Sequence, residues 1–382
     1  MRIIHLADLH ARDRDIEEIE KCLGCVVETA KKEKVDLFVI AGDCFDSRDI
    51  KLDSLSAKLV VKTISELADI CPVVIIIGTP SHDGTAAEVL NYAKGKYPVH
   101  VATKPEQFIL DNIVLSLVPQ PTKQFFNQGD IQTSNEDISK AMNAVFAGFG
   151  AQAEEHDRPH ILIYHGSISG AKLSMGQTLT GMDIEVSVDQ LRLSNADLFL
   201  CGHIHLPQEL PGNVFYSGSI YANNWGENHK HGFYIHTLEG KKLVSSKFIE
   251  TPCRKLEKFE TDYTDGTNNI DDIDFVLWLK PTEGTYVRHD ITVWQDEAVK
   301  IDKAAIRQNY IDRGALDADI RIIRVPRQVV RSESVLKVES LRDKLVAMAA
   351  IKEETVPENI LIKADGLESV PSEEVVKKLI VM

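Results

Sequence analysis

Through the first 250 positions, short apolar runs rich in β-forming residues alternate with stretches of helical periodicity. The runs are RIIHLA, VDLFVIA, PVVIII, NIVLSLV, HILIYH and ADLFLCG, followed by NVFYSGS, GFYIHTLEG and KLVSSKFIE. Helical patterns at 16–32 and 53–68 fit between the first strands as crossovers, so the chain reads as an α/β layered domain. Several strands run straight into polar residues: Ala7 into Asp8, Ala41 into Gly42-Asp43, Ile77 into Gly78, Tyr164 into His165, and Cys201 into Gly202-His203. In open α/β sheets ligands gather outside the carboxyl ends of the strands, so these residues are expected to share one crevice.

At 382 residues and 43% hydrophobic, the chain can bury a sizeable core and is long enough for two or three domains. Its apolar runs are far shorter than the ~20 residues that cross a bilayer, and MRIIHLAD enters a strand without a signal-peptide pattern. A cytoplasmic protein with no membrane partner is the expectation. Six scattered cysteines do not form a disulfide framework. Cys22 and Cys25 make a C-x-x-C, but Ile16, Ile19, Leu23, Val26, Val27 and Ala30 around them follow a helical stripe, which favours packing over redox or zinc chemistry. The net charge of −15 argues against coating nucleic acid by bulk electrostatics. It leaves a nuclease open, because carboxylates that hold metal ions are counted in it and the ions are not.

Residues 261–274, TDYTDGTNNIDDID, read as a linker, after which FVLWLK, YVRHDITVW, a helix near 302–313 and DIRIIRV suggest a small α+β unit. The expected domains are 1–252, 253–331 and a helical tail, 332–382. In the tail two helical patterns, VESLRDKLVAMAAIKEE and SVPSEEVVKKLIVM, flank TVPENILIKADG. The first has apolar Val338, Leu341, Leu345, Met348 and Ile351 at three- and four-residue steps, with Ser340 placed to cap.

The chemistry-bearing set, in order, is Asp8-Leu-His10, Gly42-Asp43-Cys44-Phe45-Asp46, Ser81-His82-Asp83, His165 and Gly202-His203-Ile204-His205. Each alone is an ordinary surface or turn signal, but five of them at successive strand ends point to a metal site. In extended chain, residues i and i+2 point to one side, so Asp8 with His10, and His203 with His205, are expected to converge on neighbouring ions. Carboxylate and imidazole without thiolate suit Mn, Fe or Zn, and a carboxylate such as Asp43 can bridge two ions ~3.5–4 Å apart.

On these motifs the sequence resembles the calcineurin-like metallophosphoesterases, and within them the SbcD-type DNA exonuclease subunits that work with an ABC-type ATPase. The resemblance includes Gly170-Ala171 after the single histidine and YSGSI at 216–220. It implies a two-sheet sandwich flanked by helices, a small cap domain and C-terminal helices. It also implies two divalent ions, Mn foremost with Fe or Zn as alternatives. Asp8, His10, Asp43 and His205 would hold one, and Asp43, His165 and His203 the other. His82 would be the catalytic histidine that contacts the scissile phosphate or protonates the leaving oxygen, with the Asp46 carboxylate orienting it. The other reading of Asp46 is a helix-start cap.

The implied function is exonuclease or endonuclease action on DNA in repair or recombination, in a homodimer whose tail docks on an ABC-type ATPase. The rivals are a phosphodiesterase acting on a small ester and a scaffold whose metal site has decayed.

GTPSHDG, residues 78–84, departs from the family pattern. Aligning its His-Asp pair puts Ser81 where the family has a metal-binding asparagine, with Thr79-Pro80 as an insertion. Ser81 is therefore expected at the second ion, directly or through water, or Thr79 is pushed inward in its place. RIIRVPRQVVR carries Arg321, Arg324, Arg327 and Arg331 with no acid, and reads either as a DNA-binding stripe or as a charged strand edge. His229, Lys230 and His231 read as a solvated turn.

Overall fold

The computed structural model describes residues 1–84, 86–122, 135–174, 184–266, 282–327, 338–352 and 354–368. The chain opens with β1 (Arg2–Leu6), α1 (Ile16–Glu33), β2 (Leu37–Ala41), α2 (Leu55–Ala68), β3 (Val73–Ile76) and β4 (Val99–Ala102). It continues through β5 (Glu106–Leu110), β6 (Ile113–Val118), α3 (Asn135–Glu154), β7 (His160–His165), β8 (Ser167–Ile168), β9 (Glu185–Val186), α4 (Val188–Arg192) and β10 (Leu198–Gly202). Next come β11 (Gln208–Leu210), β12 (Val214–Tyr216), β13 (Gly232–Glu239), β14 (Lys242–Glu250), β15 (Lys255–Asp262), β16 (Thr285–Trp294), α5 (Lys303–Asp312) and β17 (Asp317–Val325). Two helices, α6 (Leu341–Ile351) and α7 (Glu358–Glu368), close the described chain.

The two main sheets have six strands each, in the orders β14-β13-β1-β2-β3-β4 and β11-β12-β10-β7-β6-β5. β1 to β4 are parallel, as are β6, β7, β10 and β12, while β5, β11, β13 and β14 add antiparallel edges. Strand alternation builds the layers. Ile3, Leu37, Val39 and Val74 turn inward to meet Leu115, Leu117, Ile161, Ile163 and Leu200 of the other sheet. Their neighbours Ile4, Phe38, Ile40 and Val73 turn outward onto α1 and α2. Phe146 of α3 and Leu191 of α4 pack with Leu162, Tyr164 and Phe199. Strands covered on both faces run as near-continuous apolar stretches, as LFVIA does in β2 and ILIY between the terminal histidines of β7. The expected two-sheet sandwich flanked by helices is the observed core.

α1 buries the expected stripe, with Cys22 inside it and Cys25 partly covered, so the C-x-x-C is packing. The segment 261–274 is not a linker from its start: Thr261 and Asp262 belong to β15, which pairs in parallel with β16, and Tyr263 N–H still reaches Thr292 O. KLEKFETD is mostly charged and buries only Leu256 and Thr261, so this strand has no clear signature in the sequence. FVLWLK lies outside the described residues.

Contacts divide the chain into two units, one of Met1–Thr292 with Asp302–Ile323, the other joining Val293–Ile301 to the segment from Arg324. In the second unit, Ser340 caps α6 through Asp343 N–H, as expected. Within TVPENILIKADG, read as the stretch between two helices, the residues from Glu358 onward are themselves helical and open α7. Pro357 is compatible with the helix start, where its missing N–H costs nothing, and its carbonyl accepts from Ile360 and Leu361. Arg342 of α6 binds Asp365 at 2.6 Å and Glu358 at 3.3 Å. SVPSEEVVKKLIVM lies outside the described residues.

Candidate metal centre

Past its last paired residue, β1 continues beside the end of β2. Asp8 N–H donates to Gly42 O, His10 N–H to Asp43 O and Ala11 N–H to Cys44 O, each at 3.0 Å. This juxtaposition sets D-x-H against G-D. The means differs from the extended alternation expected, because Asp8, His10, Asp43 and His203 all have positive φ, at 53°, 39°, 53° and 99°. Such backbone costs on the order of 1–3 kcal/mol per residue and persists only where its surroundings enforce it. The side chains therefore converge because the chain is bent after each strand, not because it stays pleated.

Two glycines make room. Gly42 has φ +94°, and a Cβ there would stand 2.2 Å from His165 Nδ1. At Gly78, the end of β3, a Cβ would stand 2.2 Å from Asp43 Oδ1.

Asp8, His10 and His205 bring one ligand atom each to within 4.8 Å of one another, and so do Asp43, His165 and His203. His10 Nε2 and His205 Nε2 lie 3.0 Å apart. Asp43 Oδ2 is 3.8 Å from His10 Nε2 and 3.4 Å from His165 Nε2, so one carboxylate oxygen faces both clusters. All six side chains are buried. Convergent imidazole and carboxylate atoms enclosed in this way fit a pair of divalent cations.

Partners fix the ring orientations. His165 Nδ1 donates to Ala41 O at 2.6 Å, which directs Nε2 toward Asp43. His205 Nδ1 is 2.8 Å from Glu227 Oε1, and His203 N–H donates to both oxygens of Asp8 at 3.0 and 3.1 Å. Burial pushes the Asp8 carboxyl up. Burial acts likewise on Asp43, but the charge and hydrogen bond of His165, with His10 and His82, hold it well below the usual carboxylate range. His165 gains from the same pair: against burial, Asp43 raises it to about 9. Glu227 is opposed by burial and held down to about 2 by His205.

Four residues support the site: the sequence reading gave Glu227 and Tyr221 no role, held Asp83 only as a member of the His-Asp pair, and offered Thr79 as the alternative to Ser81. Glu227 sits in ENHKHGF, which reads as a solvated turn; instead His231 is buried against Ser219 Oγ at 3.0 Å and His229 Nε2 reaches His205 O at 3.0 Å. Lys230 alone behaves as expected, paired to Glu250 on the surface. Asp83 is buried and accepts from the N–H groups of Asp43, Phe45 and Gly78 at 2.9, 3.0 and 2.7 Å, tying the ends of β2 and β3 together. Tyr221 Oη donates to His10 O at 3.0 Å. The fourth is Thr79.

Thr79 N–H and Oγ1 donate to Asp43 Oδ1 and Oδ2 at 2.5 and 3.0 Å, and Oγ1 is 3.5 Å from His165 Nε2. Ser81, expected at the second ion, is exposed in the following turn, where its carbonyl accepts from Arg48 N–H at 2.9 Å. The two extra residues carry Ser81 past the site and leave the threonine facing the ligands.

His82 is half-buried beside them, its ring edge-on to His10 at 4.6 Å, and its imidazole lies with His10 and the Asp46 carboxylate in a third cluster within 4.8 Å. The expected Asp46 carboxylate contact is not what orients it. His82 Nδ1 donates to the backbone carbonyl of Asp46 at 3.0 Å, while the carboxylate receives Arg12 Nη1 at 3.2 Å and stands 3.8 Å from His10 Nδ1. Nor is Asp46 a helix cap, since Ser54 caps α2. The basic stripe is divided. Arg321 lines a cleft beside Asp319, Arg324 is exposed, and Arg327 is tied to Asp296 and Glu297 at 3.1 and 3.2 Å and lies over Trp294. Arg331 lies outside the described residues.

A family model of calcineurin-like phosphoesterases matches residues 1–207. A curated protein of Staphylococcus epidermidis, named as the SbcD component of the nuclease SbcCD, is 28% identical over 281 residues, covering 69% of this chain and 74% of its own. Its namesake from Staphylococcus saprophyticus is 26% identical over 284 residues, with 69% and 73% covered.

Proposed function

The chain belongs to the calcineurin-like phosphoesterase family and is a metal-dependent hydrolase; from that premise we propose that it cleaves phosphodiester bonds in DNA. The observation that carries this reading is the pair of buried clusters, both faced by Asp43 Oδ2, with His82 at their edge. Similarity to two proteins named as components of a nuclease supports a nucleic acid as the polymer.

Asp8, His10, Asp43 and His205 would hold one ion, and Asp43, His165 and His203 the other, with Mn²⁺ the proposed metal. When bound, two such ions neutralise phosphate charge, make a water acidic enough to attack, and stabilise the departing oxygen. The chain's own residues do the rest. His82 keeps a proton on Nδ1 through the Asp46 carbonyl, so the proton it exchanges with substrate is the one on Nε2. A histidine so placed serves as general acid to the leaving oxygen. Thr79 holds both oxygens of Asp43 and so sets the orientation of the bridging carboxylate.

The proposal extends to the domain plan of 1–252, 253–331 and 332–382, with the tail docking an ABC-type ATPase subunit in a homodimeric assembly that works in the cytoplasm. Among the described residues no helix is long and apolar enough to cross a membrane. None of α6 is buried, and Val346, Met348, Ile351, Ile362 and Leu367 of α6 and α7 are exposed, which supports a partner for these helices.

End-labelled single- and double-stranded DNA, incubated with Mn²⁺ beside a small chromogenic phosphodiester, tests the reading. Digestion of DNA is expected, and cleavage of the small ester alone would overturn it.

A further inference from the structure

In a chain of net charge −15, five arginines line one cleft of about 490 Å³. Arg12 and Arg14 follow the metal-ligand loop of β1, Arg254 joins β14 to β15, and Arg288 and Arg321 stand on β16 and β17. All five belong to the first unit.

The acids that position them are fewer. Asp15 takes Arg12, Arg254 at 2.7 Å and Arg14 at 3.6 Å, and Asp319 takes Arg288 at 2.9 Å and Arg321 at 3.3 Å. With Asp46 on Arg12 as well, three carboxylates face the five guanidinium groups among the described residues, an excess of positive charge that leaves the arginines held in place.

Its polar wall is also incomplete. Asn223 and Arg254 line the cleft, and among the described residues Arg254 Nε and both amide atoms of Asn223 have no hydrogen-bond partner. The Arg288 guanidinium lies 4.6 Å from the centre of the Trp225 ring, a flat cationic and aromatic surface of the kind on which bases stack. Arg12 links the cleft to the metal centre, since the Asp46 carboxylate it binds lies within 4.8 Å of His10 and His82 ligand atoms.

We propose that this cleft holds the sugar–phosphate backbone of a single DNA strand adjoining the scissile bond. A narrow cleft of this volume suits roughly one or two nucleotides rather than the broad face of a duplex. The inference rests on the DNA-cleaving reading above and adds where the strand lies.

Binding of a cleavage-resistant phosphorothioate strand to the full-length, metal-loaded protein tests it, with Arg14→Ala and Arg321→Ala as variants. Both side chains are more than half exposed, so their loss leaves the fold intact. Each variant is expected to weaken single-strand binding about 5-fold and to reduce the log–log salt slope by about 0.7. Arg288→Lys is expected to keep most of the slope, and all three should hydrolyse a small chromogenic diester at the wild-type rate. Unchanged affinity and slope in the Arg14→Ala/Arg321→Ala double variant, while wild type binds and cleaves DNA, would overturn the cleft assignment alone. Equal weakening for single strand and blunt duplex would overturn its single-strand character. A wild-type protein that neither binds nor cleaves DNA yet hydrolyses the small diester would instead remove the DNA reading on which the inference stands.

Discussion

Asp43 Oδ2 faces both clusters, 3.8 Å from His10 Nε2 and 3.4 Å from His165 Nε2, and the two Asp43 oxygens are held by one residue, Thr79. Asp43→Ala is therefore expected to abolish stoichiometric binding of both ions, and elemental analysis showing full metal content would refute the shared-ligand geometry. Thr79→Val keeps the shape, and its backbone donor, but deletes the hydroxyl. The loss of such an outer contact is expected to weaken metal affinity ~10–100-fold. Ser81→Ala, by contrast, is expected to titrate like wild type, because the serine is exposed and its contact is through the backbone. The reverse ranking in a metal-buffered titration would return Ser81 to the site. His82→Ala should cut DNA cleavage ~10²–10⁴-fold with metal content intact, the behaviour of a proton donor that is not a ligand. Asp46→Asn should cost less than His82→Ala, since the bond that orients His82 comes from the Asp46 backbone and survives the substitution.

At the scale of elements, α1 ends on Lys34 in the left-handed region, with φ 50° and ψ 65°. A side chain there costs ~1–2 kcal/mol that glycine does not pay, partly offset by glycine's greater freedom when unfolded. Lys34→Gly is accordingly expected to stabilise the protein by ~0.5–1 kcal/mol in chemical denaturation, and a loss of stability would show that the lysine's other contacts outweigh its backbone. Helices were legible because α1 and α2 bury stripes that recur at helical spacing. β15 and α7 were not: KLEKFETD is mostly charged and buries only Leu256 and Thr261, and a proline followed by acidic and amide residues imitates a break. The metal loops are a third case, since D-x-H was legible as a pair but not as two residues in left-handed backbone.

For the whole molecule, acid should destabilise the fold through histidines buried neutral. His160, the first residue of β7, is buried with Nε2 2.7 Å from Ser116 Oγ, and burial lowers its pKa to about 4. The unfolded chain takes up this proton near pH 6.5, before the folded chain does, so stability is lost as pH falls from about 6.5 toward 4. By pH 5 the loss from this residue is up to about 2 kcal/mol. Urea unfolding of wild type and His160→Gln in the presence of chelator, at pH 7 and pH 5, is expected to show a smaller pH effect in the variant by about that amount; equal effects would mean that His160 titrates alike in both states.

The order of motifs determined the family and most of the candidate metal-binding set: Asp8, His10, Asp43, His165, His203 and His205 stand at strand ends, and strand ends are readable from runs such as RIIHLA and HILIYH. Side-chain type and spacing carry that information locally. Which atoms surround the ligands depends on contacts between segments far apart in the chain, and these only the tertiary structure decided. Glu227 meets His205 because the loop before β13 folds back, and Asp83 binds three N–H groups because β2 and β3 end side by side. Thr79 replaces Ser81 because the longer loop must turn above Asp43. The five arginines of the cleft come from four separate segments, so their convergence has no local signature, whereas in the local run RIIRVPRQVVR the described Arg321 and Arg327 have separate partners.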